Sequence, residues 1–216
     1  MKSGLFGGLL ILVVAGWCRG DSAADRLLNK PDDWFRSEAG QIALANILSW
    51  QSPQGAWPKG KSTVDQQYAG ERDKLKGTFD NAATTGELRV LARGFRLTGD
   101  PAYKTAFLAG LDHILQAQYE NGGWPQYYPP SQGYHGHITF NDNSMVRLLR
   151  LLLDATDPSQ ADFALLDGAR RSRAEEAIER GIDCIVRCQI VVVGELQVWC
   201  AQHDKRTLEP AVGRSY

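Results

Sequence analysis

Two aspartates carry the strongest signal for chemistry in this 216-residue sequence. Asp80 and Asp142 each lie next to an asparagine, and each opens an apolar, helix-forming segment. Helix capping would explain either one alone, because a side-chain oxygen accepts a free backbone N–H at a helix start. If the two carboxylates converge with the amide oxygens of Asn81 and Asn143, they form a hard, oxygen-rich site suited to Ca²⁺. They could equally act as an acid/base pair.

An internal repeat predicts that the two aspartates converge. The pattern Q-x-x-x-G-x-W-P occurs at residues 51–58 and returns 67 residues later at 118–125. A polar loop and a second shared string follow each copy: Thr-Phe-Asp-Asn at 78–81 and Thr-Phe-Asn-Asp-Asn at 139–143. Helical hairpins that repeat in this way bury their apolar faces on one another and build an α/α toroid. Equivalent loops emerge at the same end of a toroid, so Asp80 and Asp142, in matching places of the repeat, are expected at one mouth.

A weaker third copy brings a basic residue into the same register. Gln189, Gly194 and Trp199 repeat the turn pattern, and a polar loop runs from 201 to 213. In this register Arg214 falls where the first two copies place their aspartates, and the chain ends two residues later, where a helix is expected. The predicted fold is therefore mainly α, an (α/α)₃ toroid-like helical-hairpin repeat that is truncated at the C-terminus.

Hydrophobic periodicity places the elements that hold these loops. Helices are predicted over 33–50, 81–97, 101–118, 143–155 and 160–187, with a short hairpin over 190–199 around Val193-Gly194. Asp100 and Pro101 should start the third helix as its N-cap and first helical residue. The fourth helix is apolar almost all round and is expected to be deeply buried. The predicted core residues are Leu148, Leu149, Leu152 and Ile114.

The N-terminus is typical of a targeting segment. A basic start at Lys2, an apolar run at 5–16 and small residues at 22–24 predict a secretory signal peptide over 1–24, and hence a secreted or periplasmic protein. The apolar run is shorter than the roughly 20 residues that span a bilayer. Since 24 Lys and Arg residues balance 25 Asp and Glu residues, the composition argues against a nucleic-acid binder or a membrane-surface protein. Recognition of a charged ligand must then come from a local cluster.

Aromatic and cationic side chains gather around the two aspartates. A groove lined by flat rings and flexible cations suits an extended anionic sugar polymer. The tryptophans of the two turns are expected to pack structurally, and the two histidines that flank a glycine are typical of solvated loop residues. The whole set comprises Trp57, Lys59, Lys61, Lys74, Lys76, Trp124, Tyr127, Tyr128, Tyr134, His135 and His137. The substrate-binding candidates are Lys59, Tyr128, Asn81 and Asn143.

Several strings together resemble the family 10 pectate lyases. They are WPKG (57–60), TFDNAAT (78–84), GGWPQYYP (122–129), ITFNDN (138–143), VWCAQHD (198–204) and the closing EPAVGRSY (209–216). The resemblance covers residues 33–216 and identifies 25–216 as the N-terminal two-thirds of a pectate lyase catalytic domain. It implies an (α/α)₃ toroid-like fold and cleavage of polygalacturonate by anti β-elimination with Ca²⁺. We expect the protein to be a monomer.

The resemblance also implies roles for individual residues. Asp80 and Asp142 take calcium and substrate roles, with Asn81 nearby. An arginine acts as the base that removes the C5 proton beside the uronate carboxylate, and Arg214 is the position that fits. Further substrate-binding arginines of the family lie beyond residue 216.

Two alternatives stay open from the residues themselves. An inverting glycoside hydrolase on an α/α toroid would use Asp80 and Asp142 as acid and base. A pectin-binding or structural fragment would perform no catalysis. Within the lyase interpretation, arginine is a weak base with a pKa above about 12. Arg214 could therefore only neutralise the substrate carboxylate, while hydroxide or a lysine abstracts the proton.

Overall fold

The computed structural model describes residues 22–213, so most of the predicted signal peptide and Arg214 lie outside it. Its helices are α1 (Asp32–Arg36), α2 (Glu38–Ser49), α3 (Thr85–Thr98), α4 (Pro101–Ala117), α5 (Ser144–Thr156) and α6 (Gly168–Arg187). Its strands are β1 (Ile138–Thr139), β2 (Val191–Val192), β3 (Glu195–Leu196) and β4 (Gln202–His203). The predicted mainly α class is confirmed. None of the helices within 22–213 has the length and apolarity needed to cross a bilayer.

The first predicted helix is broken into two. Ser37 is extended, with φ −70° and ψ 161°, and it separates α1 from α2. Its hydroxyl accepts a hydrogen bond from the Gly40 N–H at 3.2 Å and so caps α2. The local cap overrides the apolar periodicity that runs through residues 33–50, because it satisfies a backbone donor that the start of α2 leaves free.

The connection between α3 and α4 follows the predicted chemistry. Gly99 ends α3 in the left-handed region with φ 75°. Asp100 Oδ1 accepts a hydrogen bond from the Ala102 N–H at 2.9 Å, and Pro101 is the first residue of α4. So short a connection makes α3 and α4 a packed hairpin, and α5 packs on α6 as a second one.

The core contains the residues that the periodicity predicted. Leu148, Leu152 and Ile114 are fully buried, and Leu149 is 6% exposed. The expectation that α5 is buried all round is wrong, since Leu153 is 48% exposed. Asp154 shares the outer side of α5 and forms an ion pair with an arginine of α3 at 2.6 Å, which keeps that face at the surface.

In the first copy, the Q-x-x-x-G-x-W-P turn joins successive hairpins by buried hydrogen bonds. The Gln51 amide donates to the carbonyl of Gly55 at 2.9 Å and to that of Ala106 in α4 at 2.8 Å. The Trp57 indole N–H donates to the carbonyl of Ile47 in α2 at 2.7 Å. Gly55 has φ +102°, and a Cβ there would lie 2.5 Å from a backbone oxygen of α4. The turn therefore requires glycine both for its backbone angle and for close helix contact.

The second copy repeats this arrangement bond for bond. The Gln118 amide donates to the carbonyl of Gly122 at 3.0 Å and to that of Ala177 in α6 at 2.8 Å. The Trp124 indole donates to the Ile114 carbonyl at 2.9 Å. Trp57 and Trp124 are both fully buried or nearly so, which confirms that these tryptophans pack structurally.

The third copy keeps the tryptophan and changes the turn. The Trp199 indole donates to the Ile185 carbonyl of α6 at 2.7 Å, as the first two tryptophans do to their own helices. Here the loop is longer, and strands β2 and β3 form the hairpin predicted around residues 193–194. Gly194 lies in the hairpin turn with φ +83° and open space around it. Its predicted equivalence to the turn glycines is wrong, because Gln197, whose N–H donates to the Ile190 carbonyl at 2.9 Å, takes their place in the hydrogen-bond pattern.

Candidate functional site

Backbone hydrogen bonds fix the register between the two Thr-Phe strings. The Thr78 N–H donates to the Trp57 carbonyl at 2.9 Å, and the Thr139 N–H donates to the Trp124 carbonyl at 3.0 Å. The two threonines are therefore equivalent. Each string continues into a short 3-10 turn, Asp80–Ala82 in the first copy and Asn141–Asn143 in the second. We call these the first and second site turns.

This register corrects the alignment predicted from the sequence by one residue. Asp80 corresponds to Asn141, and Asp142 corresponds to Asn81. The dihedral angles agree, since Asn81 and Asp142 both have φ 53°. The second string contains one polar residue more than the first. The sequence pattern alone does not show whether that residue comes before or after the position that matches Asp80.

The two carboxylates nevertheless meet, because the site turns lie side by side. Burial raises the pKa of Asp142, and the neighbouring Asp80 carboxylate raises it further. The charges of Lys59 and Arg147 act in the opposite direction. Two carboxylates this close favour a proton or a cation between them.

Helix capping does not account for either aspartate. Helix α3 begins after Thr84, whose hydroxyl and the Glu87 carboxylate form a capping box. Helix α5 begins after Asn143, which makes no side-chain capping hydrogen bond. The capping alternative is therefore wrong for Asp80 and Asp142, and their carboxylates are available for another role.

Asp80 is held rigidly through one of its two oxygens. The side chain is buried, and Oδ2 accepts hydrogen bonds from Lys59 Nζ and from Gln126 Nε2, the latter at 2.5 Å. The other oxygen, Oδ1, is buried and has no hydrogen-bond partner among residues 22–213. A buried carboxylate oxygen without a partner is costly, so it marks a place where a ligand or ion would be stabilising.

Gln126 is a site residue that the sequence reasoning missed. Gln126 lies two residues after Trp124, just as Lys59 lies two residues after Trp57. Both side chains donate to Oδ2 of Asp80. That repeat position was the signal that could have identified it. Burial lowers the pKa of Lys59, but its hydrogen bond to Asp80 and the charge of that carboxylate outweigh this and raise it, so the ammonium is charged.

The predicted amide ligands lie at the surface beside the carboxylates. Asn81 is exposed and lines a small cavity of about 290 Å³ together with Lys59 and Lys61. Asn143 is exposed in the left-handed region with φ 59°. Asp142 is exposed too, and its Oδ2 accepts a hydrogen bond from the Asn141 amide at 2.6 Å.

A large open groove of about 1050 Å³ adjoins Lys59. Tyr128 lies in its wall, with the ring edge-on to His113 at a centroid distance of 5.5 Å. Burial lowers the pKa of His113 to about 4, so its imidazole is neutral and the groove is cationic through its lysines. His137 lies elsewhere and faces Asp204 at 3.4 Å. The polar and aromatic lining includes Lys59, Lys61, Lys74, Lys76, Trp50, Tyr68, Tyr127, Tyr128 and His135.

The carboxylate pair fits a cation that a ligand helps to hold. Within residues 22–213 no group of three or more His, Cys, Asp or Glu side chains is arranged to hold a metal ion. A calcium ion takes six to eight oxygen ligands, of which Asp80 Oδ1 and the Asp142 carboxylate would supply only a few. The remaining positions are open to amide oxygens, water and the carboxylates of an anionic ligand.

The fold and the groove define a helical-repeat protein with an open groove lined by lysines and aromatic rings. A family model described as pectic acid lyase matches residues 51–216, so the chain belongs to the pectic acid lyase family. This confirms the predicted resemblance.

Two solved structures of the family 10 polysaccharide lyase from Cellvibrio cellulosa are similar to the chain, one of them a mutant in complex with trigalacturonic acid. Each is 32% identical with a TM-score of 0.76 and covers 90% of this chain. The chain covers 59% of the length of those proteins. No curated protein matches it.

Proposed function

We propose that the protein is a secreted pectate lyase that cleaves polygalacturonate by calcium-dependent anti β-elimination. The observation that carries the proposal is the unpartnered Asp80 Oδ1 beside the Asp142 carboxylate at the edge of a lysine-lined groove. Membership of the pectic acid lyase family and the trigalacturonic acid bound to a solved relative support the choice of substrate. The signal-like residues 1–24 support secretion.

The lysines and aromatic rings suit binding of the polymer. Polygalacturonate carries one carboxylate on each sugar, and ammonium groups on flexible stems can pair with carboxylates along an extended chain. Lys59, Lys61, Lys74 and Lys76 line one groove in which Asp73 is the acidic residue. Tyr127 and Tyr128 offer flat apolar surfaces for the sugar rings. The groove therefore binds by charge and orients by ring contact.

The reaction removes the C5 proton, forms the C4–C5 double bond and breaks the bond from C4 to the glycosidic oxygen. Asp80 and Asp142 would hold the calcium ion, with the Asn81 amide oxygen as a neighbouring ligand. Bound calcium supplies withdrawal of negative charge from the uronate carboxylate next to C5. Gln126 would orient Asp80 and Lys59 would neutralise it, while the lysines of the groove would hold the scissile sugar beside the carboxylate pair.

Arg214 is the proposed base, on the strength of the family resemblance alone. The arginine guanidinium has an ordinary pKa far above neutral pH, so the side chain can accept a proton only where surrounding cations favour its neutral guanidine form. The expected result is an alkaline optimum in the pH profile of kcat/KM. Arg214→Lys should retain part of the activity that Arg214→Ala loses if the side chain takes the proton.

The inverting hydrolase is a poorer fit to the carboxylate geometry. Inverting glycosidases separate their two carboxyl groups by roughly 6.5–9.5 Å to admit a water molecule. Asp80 and Asp142 instead lie close enough for the Asp80 carboxylate to raise the pKa of Asp142.

The test is the release of unsaturated product from polygalacturonate by the full chain, followed by ultraviolet absorbance with added Ca²⁺ or with a chelator. We expect product with Ca²⁺ and none with the chelator. New reducing ends without unsaturation would favour the hydrolase. Binding of polygalacturonate without any product would favour the pectin-binding fragment.

A further inference from the structure

Lys59 occupies a position that makes it a competitor of the cation. Its ammonium pairs with Oδ2 of the buried Asp80 carboxylate, and its charge also acts on Asp142. A divalent ion on Asp80 Oδ1 would therefore share one carboxylate with an ammonium group. Two cations at that separation repel each other strongly where water is excluded.

The space around Lys59 allows it to leave Asp80 and stay within the site. Its side chain lines both the 1050 Å³ groove and the 290 Å³ cavity that contains Asn81. About a third of the side chain is exposed. A small rotation about its flexible stem would carry the ammonium into either space, where an anionic ligand would meet it.

Gln126 can hold the Asp80 carboxylate in position without Lys59. Its amide donates to the same Asp80 oxygen and carries no charge. When Lys59 leaves, Gln126 still fixes the carboxylate. Gln126 and Lys59, at the same position of the repeat, thus have different roles, since Gln126 orients Asp80 and Lys59 neutralises it.

We propose that Lys59 is an exchangeable counter-ion: it neutralises Asp80 when no divalent cation is bound, and it moves to a uronate carboxylate when cation and substrate bind together. This inference rests on the proposed function and adds a linkage to it. Substrate draws the ammonium away and so strengthens cation binding. By reciprocity, the cation strengthens substrate binding by the same factor.

The experiment is a calorimetric titration of Ca²⁺ into the full chain, with and without saturating trigalacturonate, for the unaltered protein, Lys59→Met and Lys30→Met. Absorbance of the unsaturated product shows whether the trigalacturonate stays intact, and a titration without protein corrects for its own calcium binding. Lys30 is the control, because it is an exposed lysine that lines neither the groove nor the cavity.

For the unaltered protein, trigalacturonate should tighten Ca²⁺ binding by about tenfold or more, within the usual range of such couplings. Lys59→Met should bind Ca²⁺ about tenfold more tightly without trigalacturonate, and the ligand should then change its affinity by less than about threefold. Lys30→Met should behave like the unaltered protein in both titrations.

The outcomes separate this inference from the function on which it rests. If the unaltered protein binds no Ca²⁺ with or without trigalacturonate, the calcium site and the linkage are both wrong. If it binds Ca²⁺ with the expected coupling and Lys59→Met does the same, only the role of Lys59 is wrong. Weaker binding by Lys59→Met would also overturn the exchange, since it would mean that Lys59 supports the ion.

Discussion

The two site turns have the same backbone conformation, but only the first buries its carboxylate. In each, two successive residues without the freedom of glycine adopt left-handed angles: φ 53° and 60° at Asn81 and Ala82, and φ 53° and 59° at Asp142 and Asn143. The carboxylate of the first turn precedes this pair, is 2% exposed and is held by two donors. The carboxylate of the second turn is on the left-handed residue itself and is exposed.

A one-residue offset therefore converts a repeated scaffold into an asymmetric site. The repeat brings the two turns side by side, and the offset gives one fixed carboxylate and one adjustable carboxylate. Left-handed angles at residues other than glycine cost roughly 1–3 kcal/mol each and cluster at functional sites. The shared angles show that the two turns have the same backbone conformation at these positions.

Neutralising each aspartate is the strongest way to test this asymmetry. Asp80→Asn should lower kcat/KM for polygalacturonate by about 10³-fold and Asp142→Asn by about 10²-fold, the range for loss of one preorganised electrostatic group. Asp80 should matter more, because its position is fixed before the ligand arrives. Initial rates of unsaturated product, measured on proteins with unchanged circular dichroism, check this. A larger loss in Asp142→Asn would contradict the division of roles.

The support beneath the second site turn is α5, whose two faces should respond very differently to truncation. Leu149→Ala should lower the free energy of unfolding by about 2–5 kcal/mol, since it leaves a cavity in the core. Leu153→Ala, on the exposed face of the same helix, should cost less than about 1 kcal/mol. Urea unfolding of both variants measures the difference. A loss below about 1 kcal/mol for Leu149→Ala would mean that α5 is not a central helix.

Beneath the first site turn lies a buried acid that the second copy lacks. Burial raises the pKa of Glu87 from 4.5 to about 7, against the hydrogen bonds from Thr63 and Thr84. The folded protein thus keeps a proton that the unfolded chain releases, so stability falls as pH rises from about 4.5 to about 7. The residue at the same place in α5, three positions after its N-cap Asn143, is the apolar Val146.

Glu87→Gln should remove this fall in stability. The substitution should stabilise the protein at pH 8 by roughly 2–3 kcal/mol, the value of a shift of this size, and change it little at pH 5. Thermal melts of both proteins at the two pH values provide the measurement. Equal effects at pH 5 and pH 8 would show that Glu87 does not titrate in this window.

The smallest expected effects compare the three turn tryptophans. Trp57→Phe and Trp124→Phe each leave a buried carbonyl without its donor and should cost about 1–3 kcal/mol, to a similar extent. Trp199→Phe should cost less than about 1 kcal/mol, because Trp199 is 41% exposed and water can replace its indole. Urea unfolding tests whether the first two copies are energetically equivalent and the third is not.

Features that depend on residues within a single helix could be predicted from the sequence. The helical class, the start of α4 at Pro101 and the burial of Leu148 and Leu152 follow from apolar periodicity and capping, which act within one element. Exposure of Leu153 was missed, because the sequence does not say which side of an apolar helix faces solvent.

Details that depend on contacts between copies could not be predicted. The register of the second Thr-Phe string is set by the hydrogen bond from Thr139 to Trp124, and one additional residue in a polar string leaves no trace in hydrophobic periodicity. The role of Gln126 depends on its reaching Asp80 from a different copy. At Ser37, helix capping competes with the apolar periodicity of the segment. The sequence shows both effects but not which of them is stronger.

The most direct measurement of the central claim is the calcium stoichiometry of the full chain in the presence of trigalacturonate, compared among the unaltered protein, Asp80→Asn, Asp142→Asn and the double variant. If the two carboxylates share one ion, the unaltered protein binds a single Ca²⁺ in the groove. Each single variant should then lose that binding as completely as the double variant does. If either single variant keeps the ion with unchanged affinity, the two aspartates do not form a common site and the account is contradicted.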